Sequence, residues 1–232
     1  MNAATPILEI AGALPDSAES RIPGVPLYLR IMPGDFALID IPDPQLAAEF
    51  ADLCCGLLRI RQGSVRFLGR DWAGVPDELA AAMRGRIGRM YGPGSWVGFL
   101  GTDVNILLSQ LHHTRRTEAG LRDAAAELSY RFGLPGLPLA RPAAVSDADL
   151  LRAACVRAFI GEPQLVILDN GELEDITDLR SAILNAVAGL PHRQAGCVWL
   201  TNGGPIWQDR SVIVTIRRRL SEHGLLEVRS AP

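Results

Sequence analysis

The residues of this chain best placed to act on a phosphate, a metal ion or a proton stand at the ends of apolar runs. Asp40 follows Phe36-Ala37-Leu38-Ile39, Asp169 follows Leu165-Val166-Ile167-Leu168, and Asn202 follows Trp199-Leu200-Thr201. A carboxylate in such a place can take a divalent cation. Helix starts are a second kind of seat, because their unpaired N–H groups favour an anion. Two are legible, at Asp43-Pro44 and at Ser146-Asp147. The first opposes an anion: Pro42 and Pro44 have no N–H to offer, and Asp40 and Asp43 carry like charge. At about 5 Å and an effective dielectric near ~20, each like-charge pair costs roughly 3 kcal/mol, about a hundredfold in affinity. Asp43 fits better as an N-cap with Pro44 as the first helical residue, so that the helix receives the chain's own carboxylate.

Other chemistries find little footing. His112 and His113 are adjacent, so their side chains should diverge on a helix, and they are read as surface residues and not metal ligands. Cys54-Cys55 lies in an apolar helix and reads as core. No metal-spaced cysteine set and no glycine-flanked serine of a hydrolase occurs, so neither a metal centre nor a disulfide is expected. All 23 basic residues are arginine, and no lysine is available to any phosphate. A formal net charge of -3 provides no basic field for nucleic acid, which is excluded as a partner. Met1 to Glu9 has no positive charge ahead of an apolar run, and no stretch nears the roughly 20 apolar residues that span a bilayer. The expectation is a soluble chain, or one held at a membrane by a partner.

Strand candidates are Ile7–Ile10, Leu27–Met32, Phe36–Ile39, Gly63–Gly69, Ile87–Tyr91, Leu165–Leu168 and Gly196–Thr201, with two more between Ser211 and Val228. Helical periodicity predicts Gln45–Arg61, Pro76–Arg86, Val104–His112, Thr117–Phe132, Asp147–Phe159 and Asp178–Leu190. Strands alternating with helices predict an α/β mixed sheet with parallel central strands and flanking helices. The segment 92–158 has helical composition throughout and is expected to be a helical subdomain inserted into a single domain, 1–232.

Over nearly the whole chain this frame resembles the ABC ATPases, the nucleotide-binding subunits of ABC transporters, whose fold is P-loop NTPase-like. Spacing carries the match: Val145-Ser146-Asp147-Ala148-Asp149 before a helix resembles the family's signature loop, and Leu165 to Asp169 its Walker B strand. Trp199-Leu200-Thr201-Asn202 sits where the family has a switch histidine, and Asp209-Arg210 where it enters its last strands. Asn105 to His113 is similar to the matching segment of ATPases in Mla-like and Mce-type lipid transporters.

The same resemblance implies that the nucleotide site is degenerate. The glycine positions of the phosphate loop resemble Asp40, Asp43 and Gln45, the lysine position is Leu46, and the hydroxyl positions are Ala47 and Ala48. The glutamate after Asp169 resembles Asn170, the switch histidine Asn202, and the metal-sensing glutamine Gly92. Ser146 is retained in the signature, but Asp147 and Ala148 fill its glycine positions. Such a chain would be a pseudo-ATPase with no cofactor, cytoplasmic and peripheral on the inner face of the plasma membrane. By the same resemblance it would be held there by a permease and paired with an intact ATPase subunit or with a second copy as a dimer. Trp96 and Phe99 are the expected permease contacts. The alternatives are a weak ATP- and Mg²⁺-dependent ATPase active only in complex, or a regulatory or assembly protein that kept the fold.

Overall fold

The computed structural model describes residues 5–16, 20–91, 95–169 and 176–228. Strands β1 (Leu8–Pro15), β2 (Leu27–Ile31) and β3 (Phe36–Asp40) lead to helix α1 (Pro44–Cys54). Then come β4 (Ile60–Phe67), β5 (Arg70–Asp71), α2 (Asp77–Arg84) and β6 (Ile87–Met90). Three helices come next, α3 (Thr102–His113), α4 (Glu118–Arg131) and α5 (Asp147–Phe159). The last part runs β7 (Leu165–Leu168), α6 (Thr177–Ala188), β8 (Gly196–Thr201), α7 (Pro205–Gln208), β9 (Ile216–Ser221) and β10 (Gly224–Glu227). Among the described residues of 92–158 there are helices and no strand.

The main sheet has the order β10-β9-β3-β8-β7-β6, with every pairing parallel except that of β10. Its central strands β3, β8 and β7 are buried at every position because both faces are covered, and the alternation of side chains divides the core in two. Phe36, Leu38, Val166, Leu168, Cys197 and Trp199 face α3 to α6. Ala37, Ile39, Leu165, Ile167, Val198 and Leu200 face α1 and a second sheet.

That second sheet, antiparallel in the order β2-β1-β4-β5, differs from the expected single sheet. Its strand β2 alternates buried with exposed positions, the pattern of a layer with one wet face, whereas the central parallel strands β3 and β7 are buried throughout. The helix predicted over Gln45–Arg61 also ends earlier, at Cys54, and Ile60 and Arg61 are already in β4. Gly56 takes φ +63°, and the N–H groups of Gly56 and Leu57 donate to the carbonyls of Leu53 (3.1 Å) and Asp52 (2.9 Å). This left-handed cap closes the helix even though apolar residues continue past it.

Candidate functional site

The parallel register brings four strand ends to one edge of the main sheet. Asp40 pairs with Thr201, Leu168 with Trp199 and Met90 with Leu168, so Asp40, Thr201 and Asp169 end adjacent strands. This is the edge of an open parallel sheet where ligands bind. Asn202 follows β8 in an exposed bend. Gly92 and Asn170 lie outside the described residues.

Between β3 and α1, Asp43 is the N-cap. Its Oδ1 accepts from the backbone N–H groups of Gln45 (2.9 Å) and Leu46 (3.4 Å), and Pro44 occupies the first turn. The Gln45 N–H above all holds the Asp43 carboxyl below its ordinary value, with Leu46 and Arg21 adding to it. Arg21 pairs with Asp43 at 2.8 Å and donates to Gln45 Oε1 at 2.8 Å. Leu46 packs against the cluster beneath α1, and Ala47 is buried in it. Asp40 is 2% exposed and accepts from Arg219 Nε at 2.7 Å. The expectation that the Asp40 and Asp43 carboxylates repel an incoming anion is therefore corrected: each carboxylate has its own guanidinium, and what closes this helix start to an anion is that its N–H groups already have an acceptor.

Arg89 is the residue that sequence reasoning missed. It sits at 7% exposure on β6, and its Nε donates to Asp169 Oδ2 at 2.9 Å. Its Nη2 reaches the same oxygen at 2.8 Å and the Ala48 carbonyl at 3.1 Å, while its Nη1 meets Asp52. One guanidinium thus ties β7 to two turns of α1. Burial alone would lower Arg89, but Asp169 and Asp52 outweigh it and raise it above the ordinary arginine value. Burial raises the Asp169 carboxyl, and Arg89 offsets part of that rise. The Oδ1 atoms of Asp40 and Asp169 stay buried without a hydrogen-bond partner among the described residues. A single arginine inside an otherwise apolar strand segment, Ile87-Gly88-Arg89-Met90, was the available signal.

Ser146 caps α5 by accepting from the Asp149 N–H at 3.2 Å, and Asp147 and Asp149 lie in its first turn, where the helix dipole favours them. Ser146 and Asp147 are exposed, and Ser146 shares no hydrogen bond with the strand-end cluster among the described residues. Trp96 packs partly buried against the helical core beneath the Arg157 guanidinium, 4.3 Å from its ring. Phe99 is 75% exposed at a turn clasped by Asn105, whose side chain accepts from the Val97 N–H (2.8 Å) and donates to the carbonyls of Val97 (3.2 Å) and Gly101 (2.9 Å). The rings of His112 and His113 do not diverge; at the end of α3 they meet edge to face with centroids 4.7 Å apart. Cys54, Cys55, Cys155 and Cys197 are all buried thiols. No helix among the described residues is long and apolar enough to cross a membrane.

No family model matches the chain. The probable ribonucleotide transport ATP-binding protein mkl of Mycobacterium leprae is 25% identical over 178 residues, covering 77% of this chain and 51% of that protein. Its namesake in Mycobacterium tuberculosis strain H37Rv is also 25% identical, with 49% of its length covered. The chain thus spans about half the length of the curated relatives it matches. Among solved structures, the dimeric bacterial ABC transporter cassette MJ0796 superposes with a TM-score of 0.80 at 16% identity, over 97% of this chain and 100% of the other. The cbiO1 subunit of Clostridium perfringens, part of the cbiONQ ABC transporter complex, gives 0.72 at 13% identity over 96% and 87%. With its strand order, its carboxylates at the strand ends and these likenesses together, the chain has the ABC ATPase cassette fold and resembles, over most of its length, the nucleotide-binding subunits of ABC transporters.

Proposed function

We propose that this chain is a non-catalytic ABC cassette that works by structural coupling, docked on a membrane permease and paired with an intact ATPase subunit or with a second copy of itself. The reading rests on the chain's own charges occupying both halves of the strand-end site. Asp43 takes the N–H groups of Gln45 and Leu46 that would face a phosphate, and Arg89 holds Asp169, the carboxylate that would face a metal ion. The residues present do not fit Mg-ATP: Leu46 offers no cation, Pro42 and Pro44 no N–H, and Ala47 and Ala48 no hydroxyl. Solved cassettes that pair as dimers, and one described as part of a transporter complex, support the partner classes. The likeness of Asn105–His113 to Mla-like and Mce-type ATPases supports a lipid cargo, whereas the curated relatives carry ribonucleotide transport in their names.

Titrating the purified chain with ATP in millimolar Mg²⁺ and following heat or melting temperature should give no saturable signal. Stoichiometric binding, or a melting temperature that climbs with nucleotide concentration, would sink the proposal. A second reading, weak ATP binding with hydrolysis only in complex, draws on the unpartnered Oδ1 atoms of Asp40 and Asp169, which could still take a cation. ATP turnover that survives in the reconstituted complex after the partner's own site is knocked out would favour it.

Permease docking is assigned to the turn that carries Phe99. Phe99→Ala should reduce co-purification with the permease about tenfold or more while leaving the melting temperature within about 1 °C, since an exposed side chain adds little to stability. Trp96→Ala is the poorer probe because Trp96 also packs under Arg157. Undiminished capture by the Phe99 variant would move the docking site elsewhere.

A further inference from the structure

The chain carries a formal charge of -3, yet cations collect around one open cleft of about 740 Å³ between β5, α2 and the end of α3. Arg70, Arg86, His113 and Thr114 stand in its wall. His113 lies so close to the turn after α2 that a Cβ on Gly85 would meet its Cβ at 2.9 Å, which brings the α3–α4 connection beside Arg86. In that connection Arg116 donates its Nη1 to the Ile160 carbonyl (3.4 Å) and its N–H to Thr114 Oγ1 (3.4 Å), and Arg115 precedes it. Arg70, Arg86, Arg115 and Arg116 are all exposed, and none pairs with a carboxylate among the described residues. The acids that line the cleft or adjoin these arginines in sequence are taken: Glu162 pairs with Arg193 (3.7 Å), Glu118 with Arg122 (3.0 Å) and Asp71 with Arg66 (3.8 Å). Asp77 and Glu78 stand at the far end of α2, about 10 Å away by helix rise, on the order of a Debye length. The patch thus holds four positive charges in surplus, and the rest of the chain carries all of its negative excess.

Apart from that of Arg116, these side chains make no hydrogen bond among the described residues. Cations kept together without an internal partner suit an external surface of negative charge. We propose that this patch rests on an anionic lipid bilayer, with the four arginines on headgroup phosphates. A guanidinium takes two oxygens of a phosphate at once, and clusters of about four to eight such residues are what holds a protein against an anionic leaflet. Three separate segments present these arginines without a fixed mutual geometry: β5, the turn after α2 and the α3–α4 connection. A fluid bilayer can bring its charges to each of them, whereas an acidic protein would need a pre-set shape to match. Leu108 (45% exposed) and Leu111 (38%), one turn apart on α3, add apolar contact at the headgroup boundary. The inference rests neither on the state of the nucleotide site nor on a permease.

The test is co-sedimentation of the purified full chain with vesicles of phosphatidylcholine alone and of phosphatidylcholine with about one part in three phosphatidylglycerol. The chain should pellet with the anionic vesicles at low ionic strength, stay in solution with the neutral ones, and come off as salt rises to about 0.5 M. Arg86→Gln and Arg115→Gln should each weaken partitioning about fivefold, and the two together about twenty-fivefold. Arg61→Gln combined with Arg141→Gln removes the same charge from exposed positions elsewhere and should weaken it less than about twofold. All four side chains are exposed, so melting temperatures should stay within about 1 °C of the parent. Glycerol phosphate in millimolar amounts should not compete; competition would make the cleft a pocket for one phosphate and overturn the proposal. Failure to bind anionic vesicles at low ionic strength also overturns it and would hand the patch to an acidic protein. Equal binding to neutral vesicles, or a control pair as damaging as the patch pair, overturns it too.

Discussion

Replacing Arg89 by methionine is expected to cost about 3–5 kcal/mol at pH 7, because the Asp169 carboxylate would be left buried with its partner gone. Methionine fills much the same volume, so the loss measures the charge and not a cavity. Two controls isolate the cause. Arg89→Met combined with Asp169→Leu should recover most of the stability, since an apolar pair of similar volume replaces a buried ion pair at little net cost. Lowering the pH should also narrow the gap between variant and parent. Burial already raises the folded-state value of Asp169, so the folded chain holds more protons than the unfolded chain just above the ordinary carboxylate range, and stability falls as pH rises through that window. Removing Arg89 extends the window upward, and the deficit is largest where Asp169 must be charged. Urea unfolding at several pH values reads all of this; a single variant within about 1 kcal/mol of the parent at pH 7, on the order of an exposed ion pair, would show that Arg89 does not carry the tie.

Gly88→Ala should be nearly as damaging, about 3 kcal/mol or more, through the backbone. A Cβ at Gly88 would come within 1.8 Å of the Ala158 carbonyl oxygen and 2.9 Å of Pro163 Cγ. Neither can step aside, because Ala158 belongs to α5 and Pro163 fixes the turn that feeds β7. The glycine is what lets α5 lie directly on the edge strand, and so it sets where the Ser146 cap at the far end of that helix is held. Gly74→Ala is the matched control, with nothing within 4 Å of the added carbon. Melting curves for the two variants that coincide would mean that α5 and β6 are not in this contact.

Much of the fold could be read from the chain because its strongest signals are local. Runs such as Leu165–Leu168 and Gly196–Thr201 are too uniformly apolar for anything but strands buried on both faces, and the α5 helix is marked by Ser146 before an acidic first turn. The Asp43 cap was legible for the same reason, since cap and helix are neighbours in sequence. The end of α1 was not, because Leu57, Leu58 and Ile60 continue the apolar pattern and only the left-handed Gly56 stops it. The counter-charges on Asp40 and Asp169 were out of reach of any local reading: Arg219 is 179 residues from Asp40, and Arg89 is 80 from Asp169. Charge pairing of this kind is decided by strand order, and the carboxylates taken by themselves read as bare charges facing an incoming anion, where the folded chain gives each a guanidinium.

The Asn105 clasp has a consequence for association. A five-residue turn that froze only on meeting a partner would lose about 1–2 kcal/mol of backbone entropy per residue. With Val97 and Gly101 already anchored, Phe99 projects from a pre-set mount, and binding has to immobilise little more than one aromatic ring, at about 0.5–1.5 kcal/mol. A modest contact area there can therefore yield a disproportionately durable grip.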